Sequence, residues 1–266
     1  MVCVQCFQDM PHVRASKRFC DDACKQAFHR ARQSLRSRGL LDTPACHWGR
    51  FQDYQAAYAG KIDVIITDPP YARVTLPLYE ALATLARTVL RPGGWLLCLT
   101  GWGIDLDVRQ TFNAAGLEFL TVGCYHMPST RSKARKWTST GLRSWQEHHK
   151  PLLWYQQPGL KRHQRRAGGN DTITARVSGA AQPQMDQTAH EWEQDLAAFE
   201  DIVRLFTNPA DVILDPCMGW GTTLEACVRL DRSHCIGIEL LPERYASARQ
   251  RLGLTVDDAT PAAQSA

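Results

Sequence analysis

Asp68, Pro69, Pro70 and Tyr71 are the residues whose types and spacing most clearly suggest chemistry. They directly follow the apolar stretch "IDVIIT". A carboxylate accepts hydrogen bonds, and the two proline rings fix the backbone direction and remove N–H donors. The quartet therefore predicts a ligand site at the end of a strand. Its plain structural alternative is an Asp68 side chain that caps a helix before a proline-led turn.

A second candidate site lies in residues 212–223, "VILDPCMGWGTT". Gly219 and Gly221 let the backbone approach a ligand, and a helix that follows offers free N–H groups. The next predicted strand ends at Glu239, whose carboxylate can accept hydrogen bonds from ribose hydroxyls. The missing third glycine and the missing "GK[ST]" ending argue against a dinucleotide fingerprint and a P-loop. The pattern favours a nucleoside without a triphosphate, with a tight strand–helix turn as the alternative.

Four of the ten cysteines predict a metal site. They are spaced C-x2-C-x13-C-x3-C at the N-terminus: Cys3, Cys6, Cys20 and Cys24. Paired thiolates at this spacing suit tetrahedral, structural Zn2+, and a segment with few large apolar residues needs such a staple to fold. A redox CxxC pair would not need the second pair, and His12 or His29 is an alternative fourth ligand. The other six cysteines fall in predicted strands and helices, which indicates reduced, buried thiols.

The elements that must position these residues follow from hydrophobic periodicity. The predicted strands are "KIDVIITD", "GGWLLCLTG", "LEFLTVGCYHM", "KPLLWYQQ", "ADVILDP" and "HCIGIEL". The predicted helices are "LPLYEALATLARTVLRPGG", ending at Gly93–Gly94, then "EWEQDLAAFEDIVRLFT", "TTLEACVRLD" and "PERYASARQRL". Alternating strands and helices predict an open, parallel α/β sheet, and ligands of such sheets bind at the carboxyl ends of the strands.

Composition limits the function classes. A chain of 266 residues with 44% hydrophobic residues can bury one core and a small appendage. No apolar run approaches the roughly 20 residues that span a bilayer, and no secretory signal is visible, so we expect a cytoplasmic protein. The net charge of +4 divides into +5 for residues 1–40, +9 for residues 125–176 and −10 for the remainder. Two basic segments predict a polyanionic partner, with solvated basic loops as the alternative.

Both candidate sites together resemble one family, the S-adenosylmethionine-dependent amino-methyltransferases of DNA. The resemblance rests on "DPPY" at 68–71, "LRPGGWLL" at 90–97, "DPCMGWGTT" at 215–223 and "IGIEL" with "ERYASARQRL" in 236–252. The catalytic motif precedes the cofactor motif, as in the permuted (β-class) adenine and cytosine amino-methyltransferases. The likeness covers about residues 45–252 and implies a Rossmann-like methyltransferase open sheet with a small N-terminal zinc-binding segment.

The resemblance implies that Asp68, Pro69, Pro70 and Tyr71 are catalytic. An exocyclic adenine amine is a poor nucleophile because its lone pair is delocalised into the ring. The Asp68 carboxylate would accept one amine hydrogen and the Pro69 carbonyl the other, which favours a pyramidal nitrogen. Tyr71 would stack on the target base after the base leaves the helix. The expected activity is site-specific adenine-N6 methylation of double-stranded DNA.

The family pattern also implies contacts with S-adenosylmethionine. Asp215 would meet the methionine amino group, Gly219 and Gly221 would lie under the methionine and ribose, and Glu239 would hold the ribose hydroxyls. Pro216 and Thr222 belong to the same motif. Where the family shows Gly-Asp, this chain has Gly49–Arg50, so Phe51 or Asp53 is expected to compensate or to pack. The segment "AHEWEQ" replaces a Lys-Pro turn, which leaves His190 and Glu193 as candidates.

The basic segments divide the expected DNA contacts. The helix after the second cysteine pair resembles small treble-clef-like fingers of phage and mobile-element proteins, and predicts contacts from Arg30, Arg32 and Arg36, with a purely structural cap as the alternative. Arg135, Lys136 and Arg165 are expected in target-recognition insertions near 125–150 and 159–188. The predicted organisation is a finger-like segment over 1–42, a methyltransferase domain over 43–256 and a disordered tail over 257–266.

Three other functions stay open at this point. DNA cytosine-N4 methyltransferases share the fold and the motif order, but their motif more often begins with Ser. Methyltransferases of protein glutamine or ribosomal RNA usually begin the motif with Asn and place the cofactor motif first. A zinc-finger DNA-binding regulator with an inactive methyltransferase fold is the alternative from another class.

Overall fold

One mixed sheet contains all eight strands that the computed structural model describes. The structure describes residues 19–37, 44–127, 149–159, 172–175, 194–232 and 234–254, with only the backbone for residues 31, 32 and 34–37. The strands are β1 (Ala45–Trp48), β2 (Ile62–Thr67), β3 (Leu90–Leu99), β4 (Glu118–His126), β5 (His149–Gln156), β6 (Thr172–Thr174), β7 (Ile213–Asp215) and β8 (Cys235–Glu239). The helices are α1 (Asp22–Ser37), α2 (Leu76–Val89), α3 (Asp105–Ala114), α4 (Leu196–Phe206), α5 (Thr222–Arg229) and α6 (Pro242–Arg251).

The sheet order is β1-β8-β7-β2-β3-β5-β4-β6. The half from β1 to β3 is parallel, as predicted. Beyond it, β5 runs antiparallel to both β3 and β4, and β6 is parallel to β4. The prediction of a parallel sheet is therefore wrong for this edge, because periodicity reveals that a strand exists but not its direction.

Both faces of the central strand β2 are covered, and every residue of this strand is buried. Ile65 packs in a cluster with residues of α2 and α3, whereas Val64 and Ile66 pack in a second cluster with residues of α4 and α5. This accounts for the consecutive apolar residues 64–66, because a parallel strand that is covered on both faces exposes neither face to solvent. The packing on both faces fixes the position of β2 and therefore of the residues that follow it.

The strand β3 begins earlier than predicted. The helix α2 ends at Val89 rather than at Gly93–Gly94, and β3 starts at Leu90, which pairs with Ile62. Pro92 cannot continue a helix. A Cβ on Gly94 would lie 3.0 Å from the Asp63 carbonyl oxygen, so the glycine allows β3 to approach β2.

Three described elements had no sequence prediction: β1, α3 and β6. The helix predicted after the second cysteine pair is α1. Two short 3-10 helices, Phe51–Tyr54 and Arg73–Thr75, complete the described structure. None of the described helices is long and apolar enough to cross a membrane. The eight cysteines in the described ranges form no disulfide.

Candidate active site

Three carboxylates lie at the carboxyl ends of three adjacent parallel strands. Strands β8 and β7 end at Glu239 and Asp215, and Asp68 follows the last residue of β2. The sheet therefore brings the two candidate sites of the sequence to one edge, which is where parallel sheets bind ligands.

The Asp68 side chain is only 16% exposed. Its Oδ2 accepts a hydrogen bond from Gln194 Nε2 and lies 3.7 Å from Lys150 Nζ. Its Oδ1 is buried and accepts no hydrogen bond from any residue that the structure describes. Burial raises the pKa of Asp68, while Lys150 and Gln194 act in the opposite direction. Because no described residue donates to Oδ1, this oxygen is available to a donor on a ligand.

The residues after Asp68 form a turn that is anchored on α2. The Pro70 carbonyl accepts hydrogen bonds from Thr75 Oγ1 at 2.8 Å and Tyr79 Oη at 3.1 Å. Residue Thr75, not Asp68, occupies the N-cap position of α2, so the capping alternative for Asp68 is wrong. Pro69 is buried, and within the described ranges no donor bonds to its carbonyl.

Tyr71 is fixed from two sides. A Cβ on Gly101 would lie 2.9 Å from the Tyr71 Cβ, so this glycine makes room for the aromatic side chain. On the other side, Lys150 Nζ donates to the Tyr71 hydroxyl at 3.0 Å and lies 4.8 Å from the ring centroid. The ring is therefore held beside the Asp68 carboxylate.

Asp215 lies deeper in the same edge and is 3% exposed. The Thr223 hydroxyl donates to Oδ2 at 2.5 Å, and the Cys217 N–H donates to Oδ1 at 3.1 Å. Burial raises the pKa of Asp215 to about 7, an increase that these donors reduce and the nearby Asp68 reinforces. A cation placed beside Asp215 would stabilise its charged form.

The glycine turn has one packed and one open position. Gly219 (φ 53°) and Gly221 (φ 86°) adopt left-handed backbone conformations that favour glycine. A Cβ on Gly221 would lie 3.0 Å from the Ala248 Cβ on α6, whereas a Cβ on Gly219 would meet no atom within 4 Å. Open space therefore borders the chain at Gly219. The buried residues Pro216 and Thr222 complete the turn into α5.

Glu239 holds this turn in place. Its Oε2 accepts the Gly219 N–H at 2.9 Å, and its Oε1 accepts the Leu241 N–H at 2.8 Å. Each carboxylate oxygen has further lone pairs for a ligand donor. The residue therefore has a structural role in addition to the predicted ligand contact.

Known proteins match this chain over the region that contains the candidate site. The family model described as DNA methylase, of the N6/N4 type, matches residues 62–250. The chain belongs to this family. The Escherichia coli (strain K12) protein YubD is 35% identical over 206 residues, covering 72% of this chain and 82% of YubD. The predicted resemblance to S-adenosylmethionine-dependent DNA amino-methyltransferases is thereby confirmed.

Solved structures confirm the methyltransferase fold. The M1.HpyAVI–SAM complex aligns with a TM-score of 0.65 at 23% identity, covering 80% of this chain and all (100%) of that chain. The PvuII DNA methyltransferase, which is cytosine-N4-specific, aligns with a TM-score of 0.62 at 15% identity, covering 82% and 88%. At these identities the likeness concerns the fold alone, and the fold does not separate adenine from cytosine methylation.

The residues of this DNA methylase fit the methyl donor that its family implies, S-adenosylmethionine. Asp215 is a buried carboxylate whose hydrogen-bond donors among the described residues are neutral, and Gly219 borders open space. When bound, the cofactor supplies a methyl group on a sulfonium, which has a good leaving group. The residues that would hold it are Asp215, Gly219, Gly221 and Glu239.

Sequence reasoning missed two residues that contact Asp68. Lys150 and Gln194 both contact Asp68, from β5 and from the residue pair before α4. The predicted candidates for cofactor contacts in the segment "AHEWEQ", His190 and Glu193, lie outside the described residues. The available signal for Lys150 was a cation next to the apolar run "PLLWY", inside a predicted strand.

The two residues near the end of β1 that were predicted to contact the cofactor, Phe51 and Asp53, lie in different environments. Phe51 is 4% exposed and belongs to the main core cluster, which supports the packing interpretation. Asp53 is exposed on the 3-10 helix. Trp48, at the end of β1, is 59% exposed and donates from its indole to the Leu240 carbonyl at 3.2 Å. Its flat ring therefore lies near Glu239 and had not been singled out from the sequence.

Part of the predicted metal site is described. Cys20 and Cys24 Sγ are 3.4 Å apart, and with Asp21 their ligand atoms all lie within 4.8 Å of one another. Asp21 Oδ1 also accepts the Cys24 N–H at 2.7 Å. Cys3 and Cys6 lie outside the described residues. The structure thus brings one predicted cysteine pair together at the start of α1.

Few of the predicted DNA contacts can be located. Arg30 is exposed on α1, and for Arg32 and Arg36 only the backbone is described. Arg135, Lys136 and Arg165 lie outside the described residues. The predicted insertion near 125–150 is narrower than expected, because β4 extends to His126 and β5 begins at His149.

Proposed function

We propose that this DNA methylase is a site-specific adenine-N6 methyltransferase that uses S-adenosylmethionine. The observation that carries the proposal is the Asp68 carboxylate, whose buried Oδ1 accepts no hydrogen bond from the described residues and lies beside the fixed ring of Tyr71. A strong acceptor at this position suits an exocyclic amine that must lose a proton. Adenine is favoured because the motif begins with Asp, as in the adenine enzymes that the sequence resembles.

The residues of the site divide the work. Asp68 Oδ1 accepts one hydrogen of the amine and is placed to receive the proton that the amine releases. The Pro69 carbonyl accepts the second hydrogen, and both acceptors favour a pyramidal nitrogen whose lone pair faces the methyl donor. Tyr71 stacks on the flipped base, offsetting an unstacking cost of a few kcal/mol. Orientation and preorganised electrostatics supply the catalysis.

The cofactor contacts are proposed on the same edge of the sheet. Asp215 pairs with the methionine ammonium, Gly219 and Gly221 border the methionine and ribose, and Glu239 accepts from the ribose hydroxyls. We further propose that Cys3, Cys6, Cys20 and Cys24 bind a structural Zn2+. The nearby Cys20 and Cys24 thiols support this proposal.

Cytosine-N4 methylation is the second candidate, favoured by the fold shared with the PvuII enzyme. The test is to methylate plasmid DNA with labelled S-adenosylmethionine, digest it to nucleosides and separate them by mass spectrometry. We expect N6-methyladenine. N4-methylcytosine would establish the alternative, and cofactor binding without any methylated nucleoside would favour the inactive regulator. Sequencing of the methylated plasmid then identifies the recognised site.

A further inference from the structure

We propose that Lys150 is a positioning residue that keeps Asp68 ionised and fixes Tyr71, so that the proton acceptor and the stacking ring are set together. The inference rests on the proposed function, since it assigns a role to a residue beside the reacting groups. This lysine lies outside the two sequence motifs, on the strand β5.

The geometry connects three parts of the chain. Lys150 lies on β5, which is separated from β2 in the sheet by β3. Its Nζ lies 3.0 Å from the Tyr71 hydroxyl and 3.7 Å from Asp68 Oδ2. The Lys150 and Asp68 side chains are 15% and 16% exposed. At this depth solvent screens the pair less than it screens a surface ion pair, so the interaction has a substantial effect on the carboxylate.

No other described group around Asp68 can replace this charge. Within the part of the chain that the structure describes, the ionisable groups that interact with Asp68 come from β5, β7, the turn after β7, β3, α2 and β4: Lys150, Asp215, Cys217, Cys98, Tyr79 and Tyr125. Of these six, Lys150 is the cation, and the other groups are neutral or negative. Without Lys150, burial next to Asp215 would favour protonation of Asp68. The oxygen that carried the proton could then not accept a hydrogen from the amine.

Gln194 reinforces the arrangement without providing charge. Its Nε2 donates to Asp68 Oδ2, and its Oε1 lies 3.5 Å from Lys150 Nζ. The amide therefore bridges the carboxylate and the ammonium in one orientation. Both partners hold Oδ2, which leaves Oδ1 for the amine of the base.

The decisive measurement is the pH profile of the single-turnover rate constant for methylation by the full chain. Three substitutions are compared: Lys150→Met removes charge and donor, Lys150→Gln keeps a donor without charge, and Lys150→Arg keeps the charge. Asp68 acts when ionised, so activity is lost as pH falls through its pKa. We expect the acidic limb to move to higher pH by about one unit or more in the Met and Gln variants, and to stay near the wild-type position in the Arg variant.

Matched controls separate this role from a structural one. Lys61→Met removes an exposed lysine before β2, at the opposite edge of the sheet, and should leave the profile unchanged. The affinity for S-adenosylmethionine should stay within about twofold in all Lys150 variants, because Lys150 contacts the acceptor and not the proposed cofactor contacts. In an Asp68→Asn background, Lys150→Met should no longer change the pH dependence.

A second readout does not depend on turnover. The ion pair lowers the pKa of folded Asp68 relative to the Lys150→Met variant. The stability advantage of the wild type should therefore be lost as pH falls through that pKa, in denaturant unfolding followed between about pH 5 and pH 8. A wild type that transfers no methyl group would defeat the proposed function but not this measurement. An acidic limb and a stability difference that do not move with charge, or a faster Lys150→Met enzyme, would overturn the inference.

Discussion

At the residue scale, the three carboxylates on one sheet edge differ in their capacity to bind a ligand, because their hydrogen-bond and ionic partners differ. Among the described residues, Asp68 has a cation and an amide beside one oxygen, Asp215 has neutral donors, and Glu239 accepts from two backbone N–H groups. An oxygen that is buried without a partner normally costs free energy. The uncompensated oxygen of Asp68 is therefore the place where a substrate donor gains most.

The first prediction concerns Asp68→Asn, a nearly isosteric change that removes the charge. We expect methyl transfer to fall by about a hundredfold or more, because the amide is a weaker acceptor and cannot receive the proton. Binding of S-adenosylmethionine should be nearly unchanged, since Asp68 is assigned to the amine. Radiolabel incorporation and calorimetry measure the two effects. Near wild-type incorporation would show that the catalytic assignment is wrong.

A second prediction follows from the pKa of Asp215, which burial raises to about 7. Below that pH the folded protein carries a neutral Asp215, which attracts an ammonium less. The affinity for S-adenosylmethionine should therefore weaken on the order of tenfold between about pH 7.5 and about pH 6, as measured by calorimetry. Asp215→Asn should bind more weakly and lose this pH dependence. Asp201→Asn, which changes a half-exposed acid on α4, should retain it.

Residue types and spacing predicted the ends of β2, β7 and β8, because short motifs place glycines, prolines and acids next to each other in the chain. Lys150 and Gln194 could not be predicted in the same way. They reach Asp68 across 82 and 126 positions of sequence. Only the antiparallel placement of β5 beside β3 and the start of α4 bring them there.

At the element scale, the turn between β7 and α5 combines two glycines with different tasks. Gly221 is needed for packing against α6, and Gly219 leaves space outside the protein. The sequence predicted the turn but not this division, because the distinction depends on α6 passing beside one glycine and not the other. Strand direction was unpredictable for a similar reason, since it depends on which neighbour completes the hydrogen bonds.

Gly219→Ala is the third prediction. The left-handed backbone makes alanine unfavourable by about 1 kcal/mol, so a small loss of stability is expected. Because the new methyl group would enter the space proposed for the cofactor, S-adenosylmethionine affinity should fall about tenfold. Gly253→Ala is the matched control, with φ 66° and likewise nothing within 4 Å of its Cβ, but beyond the end of α6. Equal affinities in the two variants would contradict the placement of the cofactor at Gly219.

The fourth prediction concerns the start of α1, where thiolates benefit from the helix N-terminus. Protein purified without added metal should contain about one zinc per chain by elemental analysis. The metal should be lost when Cys3→Ser is combined with Cys24→Ser. A Cys98→Ser variant, which changes a buried thiol in β3, should keep it. Zinc-free wild-type protein with four titratable N-terminal thiols would refute the site.

At the scale of the whole molecule, charge is distributed unevenly along the chain, and three carboxylates lie at the candidate site. Residues 1–40 and 125–176 are basic, while the remainder has a net charge of −10. A DNA methylase with an acidic body needs basic surfaces to approach a polyanion. Phosphate contacts supply affinity that depends on salt, whereas contacts with base edges supply sequence preference. We therefore expect residues 1–40 to contribute affinity for DNA and residues 125–176 to contribute sequence preference.

The fifth prediction is that neutralising Arg30, Arg32 and Arg36 to Ala weakens binding to all duplexes alike. Each lost phosphate contact should reduce the slope of log affinity against log salt by about 0.9, measured by fluorescence anisotropy between about 50 and about 200 mM salt. Arg229→Ala, which removes one exposed charge on α5, controls for the loss of a positive charge elsewhere and is compared with each single Arg→Ala variant. Changing Arg135, Lys136 or Arg165 should instead alter which site is methylated, because such contacts discriminate between bases. If the N-terminal segment only caps the fold, the triple variant will lose stability while its folded fraction keeps the wild-type salt slope.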